Sequence, residues 1–421
     1  MNYKKVEIKQ GINFHKINTQ KFKTDIVSVF LTIPLNKDQV TLNSVMTSLL
    51  RRGSVNYPTQ EIITKNLEKL YGAEFNCGVE KSGDNQILKF YIESINKEFL
   101  PNREDILILS LKMLLDIVLN PLIENNGFKQ AYLQTEIQTV KRLIENKIDD
   151  KSQYSLDRCI EEMYKDKPYG LYKYGDIDQL DKINTSNLYE HYKYLISHCK
   201  IDIFVSGNID DNIENQIKEN ELINKLEPRE VNFKTQIENI NIENINNIEE
   251  KMDISQGKLV IGLNINSDNN KDTKIQTLLY NAILGGTANS KLFQNVREKN
   301  SLAYTANSTY MKQKNVIFIR CGIEIQNKEK AINVIKEQLE DMKQGKFTQE
   351  DLQNAKQSII SIIKGISNEQ DTEIIYYLEQ ELSQHHMTFE EYIENVKKIS
   401  IEDIIKIAND ISINTIYFLK S

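Results

Sequence analysis

The chain has 421 residues, of which 40% are hydrophobic and 27% charged, with a formal net charge of −7. That length is too great for one ordinary core and suits two or three domains of a water-soluble globular protein. The mild acidity and the absence of a basic excess exclude a typical nucleic-acid binder, and no apolar run approaches the ~18 residues needed to span a bilayer. Cys77, Cys159, Cys199 and Cys321 are scattered without a CxxC pair and read as buried thiols. The opening MNYKKVEIKQGINFHKI carries no signal-type apolar stretch, so the expected location is the cytoplasm.

Taken in order, Ile26–Pro34 (IVSVFLTIP) reads as a strand, and Asp38–Leu50 as a helix with Asp38 as its N-cap. After the turn RRGS at 51–54 comes a helix over Gln60–Leu70, ended by Tyr71–Gly72. A hairpin follows, with arms Phe75–Val79 and Gln86–Ile95. Leu107, Leu111, Leu114, Leu115 and Val118 mark an amphipathic helix that stops before Pro121. Helices over Gln130–Glu145, Asp157–Met163 and Asn187–Ile196 lead to a strand, Ile201–Val205, that stops at Gly207.

The second half repeats this order. Lys258–Ile265 reads as a strand, Asp272–Leu284 as a helix and Gly285–Ala288 as a turn. Ser290–Lys299 is a helix, and Leu302–Tyr310 with Asn315–Ile323 a hairpin. Helices over Lys330–Met342, Gln349–Ile363, Thr372–Leu382 and Ile401–Ile411 precede a closing strand, Thr415–Leu419. The parallel reaches the residues themselves: GFKQAYLQTEIQTVKRLIE stands beside KFTQEDLQNAKQSIISIIK. The reading is therefore α+β, two similar duplicated domains, each an antiparallel sheet backed by helices. The expected divisions are 1–212, a Glu/Asn/Ile-rich connector at 213–251, and 252–421.

One stretch carries more than fold: SKLFQNVREKNSLAYT, Ser290–Thr305. Leu292, Phe293 and Val296 recur at helical spacing and face a core. Arg297 is left at the helix end and Tyr304 at the strand start. With LFQNVREKNSLAY the chain resembles the insulinase (pitrilysin) superfamily of zinc metallopeptidases, in particular its bacterial and mitochondrial members made of half-length paired subunits. Asn300–Ser301 stands where an Arg-Gly pair is usual in that family. The resemblance covers nearly the whole chain and implies a ferredoxin-type clamshell fold. It also implies that Arg297 and Tyr304 reach a substrate at a partner's zinc.

A zinc peptidase of this kind needs His-x-x-Glu-His on one helix, two imidazoles gripping Zn²⁺ and a Glu taking the proton of its bound water. Anchoring on Gly53–Ser54 places Ser44, Thr47 and Ser48 at those three positions. Hydroxyls are poor Zn²⁺ ligands, and Thr47 is no general base near neutral pH. The further Glu falls by register near Leu143, with Glu136 and Glu145 close by in sequence. His15, His191, His198, His385 and His386 show no His-x-x-x-His spacing. No metal site is expected in this chain, and no P-loop, G-x-S-x-G or G-x-G-x-x-G motif stands out.

A missing zinc motif together with a kept Arg/Tyr pair matches the zinc-less subunit of the paired members. The resemblance implies a non-catalytic, substrate-binding subunit of a heterodimeric peptidase, with zinc in the partner and a peptide as substrate. One alternative is a scaffolding homologue of the same fold without a peptidase role. Another is a peptidase acting alone through an unusual metal site.

Overall fold

A computed structural model describes residues 2–210, 212–231, 244–267 and 270–421. They form two compact units. One takes in Met1–Asn146, Leu171–Lys234 and Asn368–Leu382; the other Lys147–Gly170, Thr235–Ser367 and Ser383–Ser421.

The first unit is built on a six-stranded sheet. Its order is Tyr3–Lys9, Ile12–Asn18, Lys200–Gly207, Thr24–Pro34, Asn85–Ile95 and Glu74–Ser82. All neighbours are antiparallel except Ile12–Asn18 with Lys200–Gly207. The central strand Thr24–Pro34 is buried almost throughout, so both alternating sets of its side chains meet a cover. Val27, Val29 and Leu31 join the core formed with helices Val40–Leu50, Ile106–Leu119 and Thr185–His198. Ile26 and Phe30 face the other way, with Ile17, Ile87 and Phe204. Helix Gln370–Ser383 covers them through Ile374, Leu378 and Leu382.

The second unit has five strands in the order Ala303–Met311, Val316–Ile323, Gly257–Ile265, Ile411–Lys420 and Asn246–Lys251. Again one pair is parallel, Ile411–Lys420 with Asn246–Lys251. Read from the opposite edge, this order and its parallel pair reproduce five neighbouring strands of the first sheet, as a duplication requires. One face packs on helices that include Lys328–Lys343, Gln349–Ile366 and Ile401–Asn409. The other packs on Lys151–Met163, whose Leu156, Cys159, Ile160 and Met163 meet Val260, Val316, Phe318, Tyr417 and Leu419.

Each sheet therefore receives a covering helix encoded in the other half of the chain. A contiguous division at 212 and 252 does not coincide with the compact units. The expected connector is also partly structured. Helices Ile213–Lys218 and Glu221–Asn224 bury Ile213, Ile217 and Ile223 in the first core. Asn246–Lys251 is a strand, and 232–243 lie outside the described residues.

The first unit buries charge on the face under Gln370–Ser383. Asp202 Oδ1 accepts from His15 Nε2 at 3.0 Å and from Asn13 Nδ2 at 3.0 Å. Tyr3 OH lies 2.9 Å from His15 Nδ1, and the Tyr3 ring stacks on Tyr377 at 3.8 Å. Lys200 Nζ stands 3.1 Å from Asp202 Oδ2 and 3.3 Å from Glu381 Oε2, which Lys5 also reaches at 2.6 Å. Burial alone would raise the Asp202 pKa. Lys200 and the His15 hydrogen bond outweigh it and hold the carboxyl well below its usual range.

Three local expectations change. Asp38 does not cap its helix: Val40–Leu50 begins after Gln39 without a side-chain cap, and the Asp38 N–H is held by Asn36 Oδ1 at 2.8 Å. Helix Phe389–Lys398 and the two N-terminal strands were not anticipated. The supposed turn at Gly285 is one of two π-helical stretches, Ala282–Gly286 and Phe293–Lys299. A Cβ on Gly285 would stand 2.7 Å from the Ser308 amide nitrogen, so glycine there permits the helix to touch the strand. Among the described residues no helix is long and apolar enough to cross a membrane.

Candidate functional site

In the first unit, helix Val40–Leu50 carries the three positions where a zinc motif would lie. It packs beside Gln130–Glu145, as such a site needs. Its polar groups are turned to other work. Ser44 Oγ lies 3.0 Å from Val40 O and 3.3 Å from Lys173 O, and Thr47 Oγ1 donates to Asn43 O at 2.9 Å. Ser48 is half-buried. Glu136, fully buried, is ion-paired with Arg52, and Leu143 at the expected ligand position is an exposed apolar side chain. A Zn²⁺ site needs imidazole, thiolate or carboxylate donors; this set offers hydroxyls bonded to helix carbonyls and does not fit the ion. Among the described residues no three of His, Cys, Asp and Glu gather into a metal-binding group.

What stands at the helix instead is a hydrogen-bonded chain that sequence reading missed. His191 Nε2 donates to Asn43 Oδ1 at 2.6 Å, Asn43 Nδ2 to Gln86 Oε1 at 2.8 Å, and Gln86 Nε2 to Lys173 O at 2.8 Å. The visible hint was Asn43, the one amide side chain in helix Val40–Leu50; its partners lie far off in sequence. His198 does not join His191, being exposed and stacked on Tyr194.

Burial pushes the His191 pKa down from 6.5 to about 4. Because the folded value lies below the unfolded one, the unfolded chain binds the proton more readily. Stability is full above pH ~6.5 and drains as pH falls toward ~4, by about 3 kcal/mol over the window. Urea titrations at stepped pH are expected to show this loss in the native protein and a flatter profile in His191→Gln.

In the second unit, Leu292 and Val296 are fully buried, and Arg297 keeps 44% of its side chain exposed. Its guanidinium carbon lies 4.7 Å from the Phe293 ring centre, a cation–π contact that rests the charged head on the ring. Glu298 Oε1 is 3.4 Å from Arg297 Nε. The helical stretch closes with Ser301 N donating to Arg297 O and Leu302 N to Val296 O, both at 3.0 Å. This closure puts Ser301 at φ +51°, in the left-handed region, which explains why the resembled family has glycine there. Ser301→Gly is expected to stabilise the protein by about 1 kcal/mol, read from the urea midpoint.

Tyr304 owes its position to a β-bulge. Ala303 and Ala306 both point into the core, and two residues stand between them where strict alternation allows one. The register skips from Ala303↔Ile323 to Thr305↔Gly322, and Thr305 Oγ1 accepts the Gly322 N–H at 3.1 Å. The extra residue, Tyr304, is 61% exposed on the edge strand of the sheet. A regular strand would have directed it inward.

Residues 182–359 match the family described as Peptidase M16 inactive domain. The "Probable inactive metalloprotease YmfF" of Bacillus subtilis (strain 168) is 32% identical over 420 residues, covering 97% of this chain and 96% of the relative. The crystal structure of a conserved protein from Enterococcus faecalis V583 superposes with a TM-score of 0.89 at 25% identity, covering 100% of this chain and 99% of the other. A peptidase M16 inactive domain from Pseudomonas fluorescens gives 0.78 at 15% identity, with 100% and 98% covered, and so speaks for the fold alone. Identity at that level along nearly the full length places the chain in the M16 (insulinase, pitrilysin) peptidase family, as an inactive homologue.

Proposed function

We propose that this chain is the non-catalytic, substrate-binding subunit of a heterodimeric, cytoplasmic zinc peptidase. Arg297 and Tyr304 act in trans at the zinc of a partner homologue that keeps His-x-x-Glu-His. The observation that carries the reading is the bulge at Tyr304. A large aromatic hydroxyl is turned out of an edge strand at the expense of regular pairing, next to a helix closure that holds Ser301 left-handed. Such local irregularity is most readily understood where it aims a side chain at a ligand.

Arg297 can give two parallel hydrogen bonds to a peptide carbonyl or carboxylate, and Tyr304 can donate to the oxyanion formed when zinc-bound water attacks. In the first unit, Glu74–Ser82 is an edge strand, and its Cys77 Sγ lies 3.6 Å from Thr47 O on the former motif helix. An extended peptide can add to such an edge through main-chain hydrogen bonds.

Co-expression with a zinc-bearing homologue tests the pairing. The expected result is a one-to-one complex on size exclusion that hydrolyses peptides neither chain cleaves alone. Separate elution, with activity confined to the zinc-bearing chain, would favour the second reading, a scaffold that uses the fold without a peptidase role.

A further inference from the structure

Among the described residues, one polar pair on the face of the second sheet that packs on Lys151–Met163 keeps buried atoms without hydrogen-bond partners. Asn307 and Arg320 sit directly opposite each other on neighbouring strands, both partly buried. Among the described residues, Arg320 Nε is buried without an acceptor and Asn307 Oδ1 is buried without a donor. An unsatisfied buried group of this kind forgoes its hydration without a hydrogen bond in return, so it calls for an explanation.

The surroundings supply one. Val316 and Phe318, on the same outward set as Arg320, lie under helix Lys151–Met163. Arg320 thus stands between that cover and the open edge strand, two residue pairs along from Thr305↔Gly322 and on the same face. Lys258, paired with Gly322 from the other side, adds a second cation to the face.

The acids that this face carries are already engaged. Glu250 accepts from Tyr154 at 2.5 Å, Tyr417 at 2.8 Å and Arg158 at 3.0 Å. Glu161 and Glu162 hold the rest of the Arg158 guanidinium, at 2.5 and 3.1 Å. Two cations not held by these acids, a guanidinium whose buried Nε is unpaired and an amide oxygen awaiting a donor together describe a receptor for a carboxylate attached to a peptide N–H.

We propose that Arg320 and Asn307 form a subsite for a peptide carboxylate beside Tyr304, Arg320 taking the carboxylate and Asn307 an adjacent N–H. The inference rests on the reading of this chain as a peptide-gripping subunit and narrows its substrate to carboxylate-bearing segments. Acidic side chains and C-termini both present a carboxylate, and the test separates them.

Three short fluorescein-labelled peptides of one sequence are titrated against the full chain by anisotropy. One carries Glu and an amidated end, one Gln and a free end, one Gln and an amidated end. One of the two charged peptides is expected to bind about tenfold tighter than the neutral one, and which it is names the source. Arg320→Gln erases that advantage and leaves the neutral peptide within about twofold of its original affinity, whereas Asn307→Ala weakens all three. If Arg320→Gln fails to fold by circular dichroism, Arg320→Lys replaces it and keeps only part of the preference. Equal binding of charged and neutral peptides, or a preference that survives loss of Arg320, overturns the subsite while the peptide-gripping reading stands. Binding of none of the three removes both.

Discussion

Tyr304→Phe is expected to lower the kcat of the proposed reconstituted pair by about 10²–10³-fold with little change in KM, the size of effect that loss of one oxyanion donor produces. The phenyl ring keeps the bulge and its packing, so the change isolates the hydroxyl. Arg297→Ala acts differently. Its guanidinium would grip the substrate before and during reaction, and loss of a charge-assisted hydrogen bond of about 1.5–3 kcal/mol raises KM by roughly tenfold or more. The split between a kcat effect at Tyr304 and a KM effect at Arg297 is the signature to measure. Steady-state kinetics in which neither variant moves either constant would remove both residues from the reaction.

Asp202→Ala is expected to cost about 3–5 kcal/mol of stability, read as a fall in the urea midpoint of the purified chain. The carboxylate is fully buried, and its removal leaves His15 Nε2 and Asn13 Nδ2 without their acceptor and Lys200 with Glu381 alone. Asp202→Asn keeps the shape and part of the hydrogen bonding and loses less. The pH dependence follows from the lowered pKa of Asp202. With the folded value below the unfolded one, its contribution is complete above pH ~4 and disappears as pH falls through the folded value. The gap between native protein and Asp202→Ala therefore narrows in strong acid.

Much of this was written into the chain locally. Helix Gln130–Glu145 was readable to the residue, because its apolar spacing and flanking turns are properties of neighbours in sequence. Arg297 and Tyr304 stood out for the same reason: their motif is continuous. The bulge beneath Tyr304 was not legible, since it exists only relative to the register of Val316–Ile323. The π-helical form of Phe293–Lys299 likewise depends on what it packs against. Asp202 reads as one acid in an apolar strand, and only the fold delivers His15, Lys200 and Glu381 to it. The helix Gln370–Ser383 was visible as a helix, but periodicity says which stripe is apolar and not which sheet receives it.

The exchanged helices have a consequence for how the protein is made. A ribosome delivers residues from the N-terminus, so the first sheet is complete once Lys200–Gly207 has emerged. Ile17, Ile26, Phe30, Ile87 and Phe204 nevertheless stay bare until Ile374, Leu378 and Leu382 follow, long after the sheet itself. The first unit cannot finish folding as a nascent domain. Its apolar flank must be shielded until that helix arrives, which makes the growing chain a natural client for holding chaperones.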